Sequence, residues 1–159
     1  AYVDVGGGST EISLLSDGKL VGSCSYNIGT LRLLSGAVSP DVIDTMRSDL
    51  TVYDKEYPGI IIAGSGGNIN KLSRMFHESS KKSKNNVLPV KNLQQIHDEI
   101  KPLTVAERIA KYGLKPDRAD VIIPAAEIFL NVAQALNCTE IHVPNISLAD
   151  GIIDGLVKE

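Results

Sequence analysis

Aromatic and sulfur-containing side chains are scarce in this sequence. Its 159 residues include no tryptophan, two phenylalanines and two cysteines. Cys24 and Cys138 are too few for a disulfide framework and fit no metal cluster, so we expect two buried, reduced thiols in a cytoplasmic protein. His77, His97 and His142 share no ligand spacing with one another or with the cysteines, which argues against a zinc site.

An excess of positive charge, long apolar runs and hydrolase motifs are also lacking. Sixteen Lys and Arg against 19 Asp and Glu give a net charge of −3, so neither nucleic acid nor a membrane surface is an expected partner. No apolar run is long enough to span a bilayer, and no Gly-x-Ser-x-Gly elbow indicates a serine hydrolase. The apolar content of 43% predicts one domain with its own core.

What the sequence does contain is an acid-flanked glycine turn near its start, Asp4-Val5-Gly6-Gly7-Gly8-Ser9-Thr10-Glu11. Glycines allow backbone N–H groups to converge on an anion, and the hydroxyls of Ser9 and Thr10 add donors. The carboxylates of Asp4 and Glu11 would repel a bare phosphate. Their position therefore favours a divalent cation, or a water to be deprotonated, between them.

The residues after this turn distinguish it from a Walker loop. The Gly-Lys-Ser/Thr ending is missing, and Ile12-Ser13-Leu14-Leu15 alternates like a strand instead of opening a helix. The pattern therefore predicts strand, glycine turn, strand. A glycine-rich hairpin turn needs no ligand, so a purely structural role stays open for the three glycines taken alone.

A second glycine turn, Gly64-Ser65-Gly66-Gly67, follows the apolar run at residues 59–63 and precedes a helical pattern. A strand that passes through such a loop into a helix N-terminus suits an anion or a nucleotide, because free N–H groups and the helix dipole point into it. Ile69 stands where a dinucleotide fingerprint requires its third glycine. A tight turn that only permits close packing is the alternative.

Other signals outline an α/β chain. Asp17-Gly18 predicts a hairpin between two strands, Ser39 precedes a helix that starts with proline, and Thr104 with Glu107 forms a capping box. A central helix is expected at residues 117–136, with a kink or break at Pro124. Residues 77–86, which include Lys81, Lys82 and Lys84, are read as a solvated loop, although a polyanionic substrate could use these lysines. A final helix is expected around Leu148, Ile152 and Leu156.

Four landmarks in order resemble one family. Residues 4–11 resemble the second phosphate-binding motif of the exopolyphosphatase and guanosine pentaphosphate phosphohydrolase (Ppx/GppA) family, of the actin, Hsp70 and sugar-kinase superfamily. Gly64-Ser65-Gly66-Gly67-Asn68 looks like its later glycine motif, with Ser and Asn where Thr is more usual. Arg118-Ala119-Asp120-Val121-Ile122 and Leu148-Ala149-Asp150-Gly151 resemble its C-terminal landmarks.

The resemblance implies a fold and a place in a longer protein. We expect an α/β, ribonuclease-H-like (actin-like ATPase) lobe with a mixed sheet covered by helices and both glycine turns at the same edge. Residues 1–159 would be the second, C-terminal lobe, and the N-terminal lobe, with the family's other hairpin and its water-activating glutamate, would lie upstream.

The resemblance also implies a reaction, the hydrolysis of the terminal phosphoanhydride of inorganic polyphosphate or guanosine pentaphosphate with Mg²⁺. The N–H groups of residues 6–10 would hold phosphoryl oxygens, and Asp4 and Glu11 would bind Mg²⁺ or position water. Residues 64–67 would contact phosphate or nucleotide. Arg118 would pair with phosphate, although a structural or surface arginine fits the pattern at least as well.

Two other functions stay open from the sequence. One is a non-catalytic module that binds nucleotide or phosphate, and the other is a lobe of a carbohydrate kinase. The kinase needs a sugar-reading set of Asp, Arg and Asn residues that this chain does not show. The sequence is compatible with a homodimer, and it does not choose between the two phosphatase substrates. We expect the chain alone to be inactive.

Overall fold

The computed structural model describes residues 1–80 and 85–144, which form one mixed sheet and six helices. The strands are β1 Tyr2–Val5, β2 Thr10–Ser16, β3 Lys19–Tyr26, β4 Ile62–Ser65, β5 Val87–Pro89 and β6 Glu140–His142. The helices are α1 Thr30–Leu34, α2 Pro40–Glu56, α3 Gly67–Ser80, α4 Val90–Ile100, α5 Val105–Tyr112 and α6 Pro116–Ala135. The order of strands in the sheet is β3-β2-β1-β4-β6-β5.

The first three strands form the predicted antiparallel start. β1 pairs with β2, and β2 with β3, through a turn at Asp17 and Gly18 whose φ angles are 51° and 74°. Two consecutive positive φ angles are those of a type I′ turn, which matches the right-handed twist of the strands. β4 then joins β1 in parallel, β6 joins β4 in parallel, and β5 pairs antiparallel with β6.

The sheet has one buried face and one face that is more open. Side chains alternate between the faces along each strand, so Val3 and Val5 point into the core while Asp4, between them, points the other way. Glu11 likewise alternates with buried residues of β2. The acidic side chains of the first turn therefore lie on the face opposite the main hydrophobic core. The buried residues of the strands include Val3, Val5, Ile12, Leu14, Ile62, Leu88 and Ile141.

Helix α6 is the centre of the helical layer, as the apolar pattern predicted. Phe129 is fully buried, and the space beside Gly64 of β4 is filled by Phe129, Ile141 and Ile69. The helix runs through Pro124 to Ala135, so the expectation of a break at this proline is wrong, while the alternative of a kink stays a prediction. Pro124 is the ninth residue of α6, so it removes one interior hydrogen bond, and the buried residues on both sides of it, such as Ile122 and Ala126, hold the helix together by packing.

Several end signals are confirmed and several bounds are shifted. Thr104 and Glu107 form the reciprocal capping box, and Gly113 ends α5 with a φ of 61°. Ser39 is the N-cap of α2, but its side chain makes no capping hydrogen bond. β4 begins at Ile62, inside the apolar run of residues 59–63 and not at its start. β5 was not predicted. The predicted final helix and the lysines at 81, 82 and 84 lie outside the described residues.

Candidate functional site

The two glycine turns lie side by side at one edge of the sheet. β1 and β4 are parallel neighbours, and Asp4 is the Cα partner of Ser65, so both strands lead into their turns at the same level. A Cβ added to Gly66 would lie 3.8 Å from Oδ1 of Asp4 and from the carbonyl oxygen of Val5. The Asp4 carboxylate is therefore close to both turns, as expected for turns at one edge.

The first turn is held from one side by α1. The backbone N–H of Thr30 donates to the carbonyl of Gly6 at 3.0 Å, and that of Leu31 donates to the carbonyl of Gly7 at 3.0 Å. Arg32 adds a side-chain bond from Nε to the carbonyl of Gly8 at 2.7 Å. All three carbonyl groups of the triple glycine are thus occupied by α1.

This arrangement determines where the amide groups of the turn point. In a trans peptide the C=O and the following N–H point in opposite directions, so carbonyls turned toward α1 turn the next N–H groups away from it. The N–H groups of Gly7, Gly8 and Ser9 have no hydrogen-bond acceptor within residues 1–80 and 85–144. Successive unpaired backbone N–H groups form a concavity that suits an anion.

Two of the predicted donors have other partners. The N–H of Gly6 donates to the carbonyl of Ser9 at 2.9 Å and closes the turn. The hydroxyl of Thr10 is fully buried and donates to the carbonyl of Ile28 at 2.6 Å. Thr10 lies on the inward face of β2 together with Ile12, because side chains two positions apart in a strand point to the same side. The expectation that Gly6 N–H and Thr10 hydroxyl face a phosphate is therefore corrected.

Asp4 and Glu11 form the acidic pair of the site. They are Cα partners across β1 and β2, so their side chains lie next to each other on the open face. Burial, and then the neighbouring charge of Glu11, raises the pKa of Asp4 above its ordinary value. Ser9 Oγ lies 3.5 Å from Oε1 of Glu11, where its hydroxyl points to that carboxylate. A cation between the two acids would offset both causes of the pKa shift.

The carboxylates of Asp4 and Glu11 are ligands of the type that Mg²⁺ prefers. Mg²⁺ is commonly bound by one or two carboxylates while substrate phosphates and waters complete its shell. Asp4 and Glu11 supply two carboxylates beside the free amides of the turn. A cluster of three or more His, Cys, Asp or Glu ligands is absent from the described part of the chain. The acids therefore suit a metal shared with a ligand better than a closed metal cage.

The second turn contacts Arg118, for which the sequence favoured a structural or surface role at least as much as phosphate binding. Arg118 Nη1 donates to Oδ1 of Asn68 at 2.9 Å. A Cβ on Gly67 would lie 2.5 Å from the guanidinium nitrogens, so only glycine leaves room for them. Arg118 is half-buried in this position. The structure thus brings a cation of α6 to the N-terminus of α3, where anions are favoured.

A basic cleft of about 310 Å³ continues from this arginine. Its lining includes Lys71 and Arg74 of α3, with Lys115 and Arg118 at the start of α6. No aromatic side chain is among the described residues that line it. Lys71 and Arg74 were not predicted as site residues. Their spacing of three on α3 places them on one face, which was the available signal.

Gly29 and Arg32 were also missed by sequence reasoning. Gly29 precedes α1, and a Cβ on it would overlap the carbonyl groups of Gly7 and Gly8. Arg32 is exposed and reaches the turn through its Nε. Gly29 follows β3 and precedes a short helical pattern, which is a weak signal because many helices have glycine before them. Nothing in the sequence indicated the partner of Arg32.

Comparison with known proteins agrees with the predicted family. A sequence profile of the Ppx/GppA phosphatase family matches residues 1–159. No curated protein sequence gives a match. Among solved structures, the chain is similar to the type II variant of the Aquifex aeolicus Ppx/GppA phosphatase, with a TM-score of 0.78 and 23% identity over 96% of this chain and 55% of that chain. It is also similar to an exopolyphosphatase from Cytophaga hutchinsonii ATCC 33406, with a TM-score of 0.77 and 19% identity over 99% of this chain and 56% of that chain.

These similarities have two consequences. The chain spans slightly more than half the length of the solved structures that it matches. At these identities the structural likeness shows the fold, and the predicted α/β, ribonuclease-H-like, actin-like ATPase lobe is confirmed.

Within residues 1–80 and 85–144, no helix is long and apolar enough to cross a membrane.

Proposed function

We propose, because this chain belongs to the Ppx/GppA phosphatase family, that it supplies one phosphate-binding wall of a Mg²⁺-dependent phosphoanhydride hydrolase. The substrate is inorganic polyphosphate or guanosine pentaphosphate, and the product is the released terminal phosphate. A solved structure similar to this chain is called an exopolyphosphatase, which supports a phosphohydrolase in this lineage.

The observation that carries the proposal is the row of unpaired amides in the first turn. Gly7, Gly8 and Ser9 offer N–H groups that are already oriented by α1, so little reorganisation is needed when an anion arrives. Preoriented backbone donors stabilise the charge that develops on phosphoryl oxygens in the transition state. The row lies beside Asp4 and Glu11, where a phosphate alone would be repelled and a phosphate with a cation would be held.

Asp4 and Glu11 are proposed to hold that cation. Mg²⁺, when bound, would neutralise negative charge on the transferred phosphoryl group. Asp4 also faces the second turn, so its carboxylate can align the terminal phosphate with the rest of the substrate. The hydroxyl of Ser9, at 3.5 Å from Glu11 Oε1, can donate to this carboxylate.

The second turn and the basic cleft are proposed to bind the remaining phosphates. Arg118 at Gly67 and the cations Lys71, Arg74 and Lys115 form a positive surface next to the terminal-phosphate site. A surface of this kind takes either the chain of polyphosphate or the phosphates of the guanosine compound. The shared requirement is a phosphate group, which charged, flexible side chains attract.

A single wall is expected to bind but not to catalyse. Rate enhancement requires exclusion of water, orientation of the nucleophile and charge stabilisation together. The chain spans about 55% of the Aquifex aeolicus phosphatase that it resembles. We therefore propose that a further lobe, in the longer protein or as a separate chain, completes the site and that residues 1–159 alone have negligible activity.

The test compares binding with turnover. Purified residues 1–159 are titrated with tripolyphosphate and with guanosine pentaphosphate, with and without Mg²⁺, and phosphate release is measured in the same samples. We expect weak, Mg²⁺-dependent binding without turnover, and turnover when the complete enzyme is used. Binding that needs no Mg²⁺ and a complete protein without hydrolysis would favour the non-catalytic module. Efficient hydrolysis by residues 1–159, lost in Asp4→Ala, would contradict the need for a second lobe.

A further inference from the structure

Arg32 is the side chain through which α1 reaches the far end of the glycine turn. Backbone N–H groups of α1 hold the carbonyls of Gly6 and Gly7, but no backbone group holds that of Gly8 in the described part of the chain. Arg32 Nε fills this position, with a distance of 2.7 Å to the Gly8 carbonyl oxygen. The third carbonyl of the row therefore depends on a side chain.

The Gly8 carbonyl belongs to the same peptide unit as the N–H of Ser9. Because the two groups of a trans peptide point in opposite directions, a bond that holds the carbonyl toward α1 holds the Ser9 N–H away from it. Glycine has a wide choice of backbone conformations, so without this bond the Gly8–Ser9 peptide is free to rotate. A rotated peptide would present its carbonyl oxygen, instead of its N–H, to an arriving anion.

Arg32 is itself well placed to act as an anchor. Its carbonyl accepts from the N–H of Ala37 at 2.8 Å and from Ser35 Oγ at 3.1 Å, so its backbone is fixed within α1. Its guanidinium makes no ion pair with a carboxylate in residues 1–80 and 85–144.

We propose that Arg32 is a positioning residue that sets the Ser9 N–H for phosphate by holding the Gly8 carbonyl. This inference rests on the proposed function of the turn. It assigns to Arg32 a role through Gly8 and not a direct contact with the substrate. Its consequence is that geometry at this position matters more than charge.

Three variants separate geometry from charge. Arg32→Lys keeps the positive charge but replaces the rigid guanidinium with a flexible ammonium, Arg32→Gln removes the charge as well, and Lys55→Gln removes one exposed charge of α2 as a matched control. Each variant of the full chain is titrated with inorganic phosphate in the presence of Mg²⁺. The amide signals of Gly7, Gly8 and Ser9 are followed by ¹⁵N NMR, and thermal unfolding checks the fold.

We expect phosphate to shift all three amides in the wild-type chain and in Lys55→Gln. In Arg32→Lys the amide of Ser9 should respond to phosphate less than the amides of Gly7 and Gly8. The affinity for phosphate should fall about tenfold, which corresponds to one charge-assisted hydrogen bond. Arg32→Gln should behave like Arg32→Lys. A wild-type response of Ser9 in Arg32→Lys would overturn the inference and leave the proposed function intact. Absence of any response in the wild-type turn would contradict both.

Discussion

Gly29 has no room for a Cβ, because that atom would overlap the carbonyl groups of Gly7 and Gly8. The residue before α1 therefore touches the glycine turn directly. This close approach lets the first N–H groups of α1 reach the carbonyls of the turn. The free amides that are proposed to face an anion thus depend on a glycine outside the glycine motif.

We predict that Gly29→Ala lowers the melting temperature by about 5 °C or more, since backbone on both sides would have to move. Gly8→Ala is the matched control, because a Cβ there would have room: its nearest neighbour, Arg32 Nε, lies 4.0 Å away. Circular dichroism melts of both variants check the prediction. Equal melting temperatures for the two variants would show that the contact at Gly29 is not structurally required.

A second prediction concerns Asp4 and pH. Burial and then Glu11 raise the pKa of Asp4, so the native state binds this proton more tightly than the unfolded state, whose Asp pKa is near 3.8. Stability from this group therefore falls as pH rises through the window between the ordinary and the raised pKa. At neutral pH the cost of the ionised carboxylate is fully present.

Asp4→Asn removes that cost. We expect its melting temperature at neutral pH to exceed that of the wild type by about 1–3 °C in the absence of Mg²⁺, and the difference to shrink as the pH falls toward 4. Addition of Mg²⁺ should stabilise the wild type and not the variant. An Asp4→Asn protein that is less stable than the wild type at neutral pH would rule out this account of the carboxylate.

The third prediction concerns turnover of the complete enzyme. Asp4→Ala should reduce the rate about 100-fold or more while the melting temperature changes by no more than a few degrees, because Asp4 lies on the open face and not in the core. Glu11→Gln should reduce it about tenfold, since the turn amides still hold phosphate. Steady-state phosphate release measures both effects. A loss of only a few-fold in Asp4→Ala would weaken its assignment as a metal ligand.

The fourth prediction tests the second turn. A Cβ in Gly67→Ala would meet the Arg118 guanidinium at 2.5 Å and push this flexible group away from Asn68. We expect weaker binding of tripolyphosphate with little change in stability. The double variant Gly67→Ala/Arg118→Gln should bind no more weakly than Arg118→Gln alone, because both changes remove the same contact. Additive losses in isothermal titration calorimetry would mean that Gly67 acts independently of Arg118.

Local patterns predicted much of this structure. Asp17-Gly18 and the capping box at Thr104 involve residues within four positions of each other, so their chemistry is complete in the sequence. Both glycine turns were located because a strand pattern precedes each one. The inward position of Thr10 could also have been predicted, because it follows the alternation that places Ile12 and Leu14 in the core.

Contacts between distant segments could not be predicted in the same way. No local pattern states that Gly29 packs on Gly7 or that Arg32 bonds to Gly8, since these pairs are joined only by the folded chain. The short strand β5 lacks enough residues to display a period, and its proline argued against a strand. The apolar run before Gly64 indicated a strand but not its register with β1, which places the start of β4 at Ile62.

Because β1 pairs in parallel with β4, we expect the proposed phosphate site to be completed late in folding. The hairpins β1-β2-β3 close short loops, whereas β4 must return across helices α1 and α2 to place Ser65 beside Asp4. Chain entropy delays such distant pairings, so we expect the first turn to form before β4 pairs beside it. A ligand that needs both turns therefore stabilises only molecules in which this last pairing has formed. Protection by such a ligand, for example tripolyphosphate, against proteolysis would thus report completion of the sheet.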